Sequence, residues 1–478
     1  MQPRPGPKEY KNILDTDAVG KLLFKLSGPV FMGMFVQSMY NIISTIFIGH
    51  EVGPLGIAGL SIAFPLQMFG FGLGSLSGIG GMSLISRMLG ARERERAERS
   101  LGNGITLAFL LSGVALILLL PFLNFWLRLI GASEEVLPYA HDYMVFVGIA
   151  ILFQVVSTSL LNFARAEGNT RVGMIAMVSG ALLSILFSFV FIVWMHMGAK
   201  GAGLAVLLAQ LVATGFLALY YWNGDSYLKV RRANLRPDFR IMKEMVGIGI
   251  GAFAQMFAGS LSVMIVISMV ERHGGDLAVG AFGIVQRIMM FANMPAMVLA
   301  QGSQPIIGFN YGARRFGLLL KSMNQALGLG VMLSVAGFLV IYFIPDAIMQ
   351  VFSDDADLIG LGSDAARRML LSLPLIAPIG IGTMIFQAIG KARRAFVAAL
   401  ARPVLFLIPA VFVLAHFFGL NGVWFTFPVS DIFTFTFVII LIVPVIRYFR
   451  SQAGGPGGGT PVPEIGALLH PTESPATD

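Results

Sequence analysis

The chain has no cysteine and few charged residues, and both shortages limit what it can be. Its 478 residues include 0 Cys and 6 His, and 12% are Asp, Glu, Lys or Arg. The lack of cysteine excludes disulfides and thiolate metal sites, and the histidines show no metal-ligand spacing. The sequence contains no P-loop, HExxH motif or Ser/His/Asp set. We therefore predict no enzyme, no ATP-driven pump, no metal centre and no cofactor.

Apolar residues take the place of the missing charge. Hydrophobic residues make up 56% of the chain, and the mean hydropathy is +0.79. Soluble domains carry about 25% charged residues, roughly twice the share found here. Apolar runs of roughly 20 residues recur from end to end, and each is long enough to cross a bilayer as a helix. Twelve such runs predict an all-α, multi-pass membrane protein.

The formal net charge of +8 follows membrane topology. Twelve crossings place both termini on one side, and most Lys and Arg residues, with Arg402 counted among them, fall on that side. The acidic residues Asp354, Asp355 and Asp357 fall on the other side. Because cytoplasmic loops are enriched in Lys and Arg, both termini are predicted to be cytoplasmic. The positive charge therefore does not indicate a nucleic-acid-binding surface.

The chain divides into two groups of six predicted helices. A polar connection near the middle separates them, and a tail rich in Gly and Pro follows the last helix. The predicted segments are a cytoplasmic N-terminal segment 1–21, a first lobe 22–222, a cytoplasmic linker 223–243, a second lobe 244–450 and a disordered cytoplasmic tail 451–478.

An internal repeat relates the two groups. Residues 53–100 align with residues 275–322 at a constant offset of 222 and without a gap. The shared Gly-Ala-Arg after a long apolar run, at 90–92 and at 312–314, is the most informative match. An even number of helices per repeat predicts parallel, pseudo-symmetric six-helix bundles that can rock about a central cavity. Glycine is expected to end each of the two helices, and arginine to anchor it at the interface.

Two charged residues fall deep inside predicted helices. Asp431 lies about ten residues into the last helix and Arg287 about ten residues into the eighth. A charge at such depth costs at least ~2.5–3.5 kcal/mol, which makes each a functional candidate. Asp431 is the candidate for ion coupling, and the alternative is a structural ion pair or helix cap. Arg287 is the candidate charge partner, although the sequence leaves a direct pair between the two residues open.

Neutral polar residues form a second group of candidates for the cavity. Gln37, Asn41 and Ser44 are spaced so that they share one face of the first helix. That face is expected to turn inward, because lipid offers amides no partners. Ordinary hydrogen bonds between helices are the alternative. Asn162 and Gln255 are further candidates.

The chain resembles the MATE (multidrug and toxic compound extrusion) family, in particular its MepA-like branch. The motifs that carry the resemblance include QGSQPIIGFNYGARR at 301–315, MYNIISTIFIGH at 39–50 and NFARAEGNTR at 162–171. It covers nearly residues 20–450. The resemblance implies a V-shaped, twelve-helix fold of two lobes. It further implies a secondary active antiporter of a bacterial plasma (inner) membrane. Such an antiporter expels bulky, often cationic organic compounds in exchange for Na⁺ or H⁺.

The chain departs from the family in its first helix. Members of the family commonly carry aspartate in a YNxxD pattern, whereas Ser44 holds the acidic position here. The seventh helix offers Gln255 where some relatives use an acid. Serine can offer a neutral oxygen to Na⁺ but cannot exchange a proton near neutral pH, so coupling through the first lobe is in question.

The expected partners are small organic substrates and membrane lipid, and the sequence indicates no obligate protein partner. A flippase for a lipid-linked saccharide is the alternative function, because related flippases share the two-lobe plan. Such proteins usually need a cationic cavity for pyrophosphate, and Arg287 is the only basic residue expected to lie deep in the membrane.

Overall fold

The architecture comes from a computed structural model of the chain. It describes residues 13–223 and 226–453, apart from the side chains of residues 41, 42, 45, 49, 54 and 57. Most of the predicted N-terminal segment and nearly all of the predicted tail lie outside the described residues.

The described residues are almost entirely helical. The α-helices are α1 Val19–Glu51, α2 Pro54–Gly90, α3 Arg94–Leu119, α4 Leu123–Ile130, α5 Leu137–Ala166, α6 Thr170–Ser188, α7 Gly198–Trp222, α8 Phe239–Gly312, α9 Phe316–Phe343, α10 Pro345–Gln350, α11 Ala356–Met369, α12 Leu373–Ala388, α13 Ala392–Leu400 and α14 Ile408–Ala453. Short π-helical segments at Phe189–Trp194 and Ala401–Leu407 continue α6 and join α13 to α14. Helices satisfy every backbone hydrogen bond within one segment, which a bilayer requires.

Ten of the helical segments are long and apolar enough to cross a membrane. Two of them are unusually long, Phe239–Gly312 with 74 residues and Ala392–Ala453 with 62 residues. Each contains one residue outside helical geometry, Gly275 with φ 67° and Gly419 with φ 57°. The chain turns back at both glycines, because this left-handed conformation is accessible to glycine at little cost. Division at the two glycines yields the twelve predicted crossings.

The backbone reproduces the internal repeat. Gly53 and Gly275 have φ of 80° and 67°, and Arg92 and Arg314 have φ of 62° and 56°. Both pairs are separated by the offset of 222 that the sequence predicted. Positive φ is uncommon for a residue other than glycine, so its occurrence at two equivalent arginines is specific evidence for repeated structure.

The glycine of each Gly-Ala-Arg segment ends its helix as predicted, and it has a further role in the contact between the lobes. Gly90 and Gly312 are the last helical residues of α2 and α8, but the left-handed residue is the arginine two positions later. A Cβ atom at Gly90 would lie 1.9 Å from the carbonyl oxygen of Phe309. One at Gly312 would lie 2.0 Å from the carbonyl oxygen of Arg87. These glycines therefore allow two helices to touch, and they do not supply the turn.

The two lobes contact each other closely at the ends of α2 and α8. We call this end of the molecule, where α1 begins and α14 ends, the terminal end. The Arg87–Glu244 ion pair joins the lobes there at 2.9 Å. The close approach at Gly90 and Gly312 lies beside it. The two repeats thus meet through equivalent helix ends, as expected for lobes related by a pseudo-two-fold axis along the membrane normal.

The second lobe has a core of its own. Trp424 is 1% exposed and stacks on Phe282, with ring centroids 6.2 Å apart. Large apolar side chains elsewhere point outward, among them Trp222 at 82% exposure. Outward apolar side chains are expected of a protein whose surroundings are lipid. The buried core of the second lobe encloses the polar group described next.

Candidate functional site

Asp431 lies at the centre of a polar group inside the second lobe. Its side chain is 1% exposed. The Arg402 guanidinium donates from Nε to Oδ1 at 2.5 Å and from Nη2 to Oδ2 at 3.2 Å. The Ser372 hydroxyl donates to Oδ2 at 2.6 Å. Both carboxylate oxygens therefore accept hydrogen bonds, and a cation that binds Asp431 competes with these donors for the carboxylate charge.

Three helical segments bring this group together. Asp431 is on α14, Arg402 is in the π-helical segment Ala401–Leu407, and Ser372 ends the short turn before α12. A π-helical segment adds a residue to the helical turn and commonly occurs at functional sites. The prediction that Arg402 lies on the side of the two termini is wrong. Arg402 lies ten residues beyond the start of α13, within the membrane-spanning stretch.

Arg287 is not the partner of Asp431. Its side chain is exposed on α8, and it forms no ion pair with a carboxylate among the residues that the structure describes. The intramembrane charges of the second lobe are therefore Asp431 paired with Arg402, and Arg287 on a separate surface.

An apolar cavity of about 280 Å³ lies next to the Asp431 group. Ser372 contributes to its wall, together with Phe425 and Pro428. One hydroxyl thus stands between an apolar space and a buried carboxylate.

The first lobe has a neutral polar group where the resemblance implies an acid. Gln37 and Ser44 are half-buried, and the side chain of Asn41 lies outside the described residues. The Tyr40 hydroxyl lies close to Ser44 and to Ser184 of α6. The inward orientation predicted for this helix face therefore fits Ser44, and the described groups beside it carry no charge.

The remaining two candidates lie in different surroundings. Asn162 is 5% exposed, and its amide donates to the Thr158 carbonyl oxygen at 2.8 Å within the same helix. Gln255 is exposed on α8. The structure does not bring these two residues into the Asp431 group.

Arg165 is a contact between the lobes that the sequence analysis missed. Its Nη1 donates to Oε1 of Gln301 at 2.8 Å, and the residue is 6% exposed. The sequence assigned Arg165 to topology because it stands at the end of a predicted helix. Nothing in the sequence indicated that its side chain turns inward and reaches the second lobe.

Glu167 is a second group that the sequence analysis missed. It follows α5 and is 4% exposed. Its carboxylate accepts from the Ser226 hydroxyl at 2.7 Å, from the Tyr227 N–H at 3.0 Å and from the Tyr220 hydroxyl at 3.3 Å. Burial raises the pKa of Glu167 to about 7, against the opposing effect of these hydrogen bonds. The contacts fasten the linker to the first lobe.

Comparison with known proteins agrees with this architecture. The MatE family model matches twice, at residues 29–190 and 252–413. The multidrug export protein MepA of Staphylococcus haemolyticus is 27% identical over 410 residues, with 86% of this chain and 90% of that protein covered.

Solved structures match as well. The MATE multidrug transporter DinF-BH in complex with R6G is 36% identical, with a TM-score of 0.85 and coverage of 91% of this chain and 98% of that one. A MATE structure in complex with MaD3S is 25% identical, with a TM-score of 0.86 and coverage of 92% and 98%. These matches confirm the predicted V-shaped fold of two lobes and twelve helices. The chain belongs to the MatE family.

Proposed function

We propose that this chain is a secondary active exporter of bulky organic compounds, mainly cations, driven by a gradient of Na⁺ or H⁺. The observation that carries the proposal is the meeting of two equivalent lobes at Gly90 and Gly312. Helix ends that touch without intervening side chains can separate as rigid bodies. Such an arrangement suits alternating access about a central cavity.

The terminal end faces the cytoplasm in this proposal. The Lys and Arg distribution supports that orientation, and the membrane is the bacterial plasma membrane. The contacts of Arg87 with Glu244 and of Arg165 with Gln301 close this end. The structure then corresponds to the state in which the substrate path is closed toward the cytoplasm.

The substrate class rests on the relatives and on the composition. The relatives named above are a multidrug export protein and a multidrug transporter in complex with R6G. The chain contains 26 Met and 39 Phe residues. Flexible and polarizable side chains suit surfaces that accept many ligands. The proposed neutral polar contacts of the cavity are Gln37, Asn41, Ser44, Asn162 and Gln255. Membrane lipid surrounds the lobes.

Ion coupling is assigned to the second lobe. Ser44 removes the acid that the family commonly places in the first helix. Asp431 is a buried carboxylate within the membrane, with both oxygens held by Arg402 and Ser372. A proton or Na⁺ competes with these donors, so binding of the ion releases Arg402 and changes the packing of α14 against its neighbours. The competition links the charge of this site to the conformation of the lobe.

Reconstituted transport tests the function. Efflux of a fluorescent organic cation from proteoliposomes is followed under a pH gradient and then under a Na⁺ gradient. Wild type is compared with Asp431→Asn and with Asp276→Asn, which removes an exposed carboxylate. We expect gradient-driven efflux by wild type and Asp276→Asn, and loss of the gradient dependence in Asp431→Asn, with binding of the cation retained.

Each other result has a definite meaning. Equal gradient-driven efflux by all three proteins would remove Asp431 from coupling and point to the face of Gln37, Asn41 and Ser44. Failure of wild type to move any of several organic cations under either gradient would contradict the proposed function.

A further inference from the structure

A polar pocket of about 440 Å³ lies at the terminal end, where α2 and α8 finish. It is lined from both lobes, and its polar wall includes Asp15, Arg92, Arg314 and Arg315. The first two residues belong to the first half of the chain and the other two to the second half. The pocket therefore exists in this form only while the two helix ends remain together.

Two of the three arginines have no counter-ion in the described part of the chain. Arg315 pairs with Asp15 at 2.5 Å. Arg92 and Arg314 are exposed, and neither forms a described ion pair. They occupy equivalent positions in the repeat, with φ of 62° and 56°. The repeat thus places a free guanidinium from each lobe at one pocket.

The ends of two helices also meet here, and helix C-termini carry partial negative charge that opposes an anion. Backbone hydrogen bonds satisfy several of their last carbonyl groups. The Arg92 N–H donates to the Leu89 carbonyl oxygen at 3.1 Å, and the Arg314 N–H donates to that of Tyr311 at 3.1 Å. The capped carbonyls leave the arginine side chains as the groups that an anionic ligand would meet.

We propose that this pocket binds a phosphate-bearing anion that bridges Arg92 and Arg314 and holds the terminal end closed. The planar guanidinium matches the geometry of phosphate oxygens and can donate two parallel hydrogen bonds. A volume of about 440 Å³ accommodates a phosphate, a pyrophosphate or the headgroup of an anionic lipid. Soluble phosphate and lipid headgroups share this chemistry.

Binding across the boundary has a conformational consequence. A ligand that contacts both arginines binds the closed arrangement better than one in which the lobes have separated at this end. It must therefore shift the population toward the closed state by its difference in affinity. The holding effect rests on the proposed alternation of the lobes, whereas binding itself does not.

Calorimetry on the full chain in neutral detergent tests binding, with inorganic pyrophosphate as the probe. We expect Arg92→Gln/Arg314→Gln to weaken binding at least tenfold. The control Arg236→Gln/Arg240→Gln removes two exposed arginines outside the pocket and should bind like wild type. Arg92→Lys/Arg314→Lys keeps the charge without the paired donors. Its affinity for pyrophosphate should lie between that of wild type and that of the Gln double variant. Equal binding by wild type and the Gln double variant would overturn the site.

The two sources of phosphate are separated in nanodiscs of phosphatidylcholine with and without phosphatidylglycerol. If a lipid headgroup is the natural ligand, phosphatidylglycerol reduces the apparent affinity for pyrophosphate in wild type and not in the Gln double variant. If the ligand is soluble, the affinity is the same in both bilayers. Absence of pyrophosphate binding in detergent and in both nanodiscs would refute the proposal.

Spin labels test the holding effect. Arg99→Cys and Lys321→Cys are exposed, equivalent positions near the terminal end, and the chain has no other cysteine. Pyrophosphate should increase the population at the shorter distance at least threefold, and this increase should vanish with Arg92→Gln/Arg314→Gln. Binding without any change in the distance distribution would refute the holding effect and would leave the proposed export function to its own transport assay.

Discussion

Replacement of Gly90 by alanine should open the terminal end. A Cβ atom at this position would lie 1.9 Å from the carbonyl oxygen of Phe309. A carbonyl oxygen in a helix cannot rotate away as a flexible side chain would. Since real Cβ contacts are essentially never shorter than 3.0 Å, the two helix ends must separate by roughly 1 Å or more.

The size of the effect follows from the cost of overpacking. Inserting a methyl group into a tightly packed contact costs ~1–3 kcal/mol. The strain exists only while the lobes touch, so it shifts the equilibrium from closed to open about 5–150-fold. Alanine also favours a helix over glycine by ~1 kcal/mol, but this gain is the same in both conformations. It raises overall stability without changing the balance between closed and open states.

The assay uses spin labels on Arg99→Cys and Lys321→Cys in the otherwise cysteine-free chain. Gly90→Ala should move the distance distribution toward longer values. Gly312→Ala should produce the same change, because its Cβ atom would lie 2.0 Å from the Arg87 carbonyl oxygen. The matched effect of two equivalent positions would show that the pseudo-symmetric contact itself controls the equilibrium.

Gly283→Ala is the control. It lies on the same helix as Gly312, and nothing approaches its Cβ position within 4 Å. This variant should keep the wild-type distances and gain slightly in thermal stability. If Gly90→Ala and Gly283→Ala gave the same distance distribution and the same stability, the argument that the glycine contact holds the terminal end closed would be refuted.

Two further predictions concern buried charges. The pKa of Glu167 is raised from 4.5 to about 7, so the folded chain holds a proton between these values that the unfolded chain has lost. The free energy of unfolding should therefore fall by up to ~3 kcal/mol as pH rises through this window. Thermal unfolding should show that Glu167→Gln removes this slope and that exposed Glu135→Gln keeps it. Asp431→Asn and Arg402→Gln should each lower the free energy of unfolding by ~3–5 kcal/mol, and their double variant by less than the sum, because it leaves no unpaired buried charge. Strictly additive denaturation midpoints would contradict the pairing.

The candidate site shows which of its residues can be predicted from their position in the sequence. Asp431 was recognised from depth alone, because a carboxylate ten residues into an apolar run is rare. Its partner was not recognised, since Arg402 is 29 residues away and several arginines were available. Arg402 also lay inside a predicted apolar run, but it was counted with the terminal-side charges. The position of Arg402 deep within that apolar run is the signal that identifies it as a second intramembrane charge.

The Gly-Ala-Arg segments show the same limit at the level of the backbone. Their repetition at an offset of 222 correctly predicted two equivalent helix ends. The prediction that glycine ends each helix is confirmed as well, although glycine is not the left-handed residue that commonly follows a helix. In the structure Arg92 makes that turn, and Gly90 is needed because a helix from the other lobe approaches. Phe309 is 219 positions away from Gly90, so the residues around Gly90 in the sequence do not indicate this contact.

Local chemistry alone therefore determined the membrane class, the twelve helices and the repeat, because the length and periodicity of apolar runs are properties of contiguous residues. Tertiary structure decided which charges pair and which glycines allow two helices to touch. It also decided that Arg165 contacts Gln301 in the other lobe. Such contacts depend on how helices distant in sequence are rotated and tilted against one another, and those rotations are set by the packing of all the helices together.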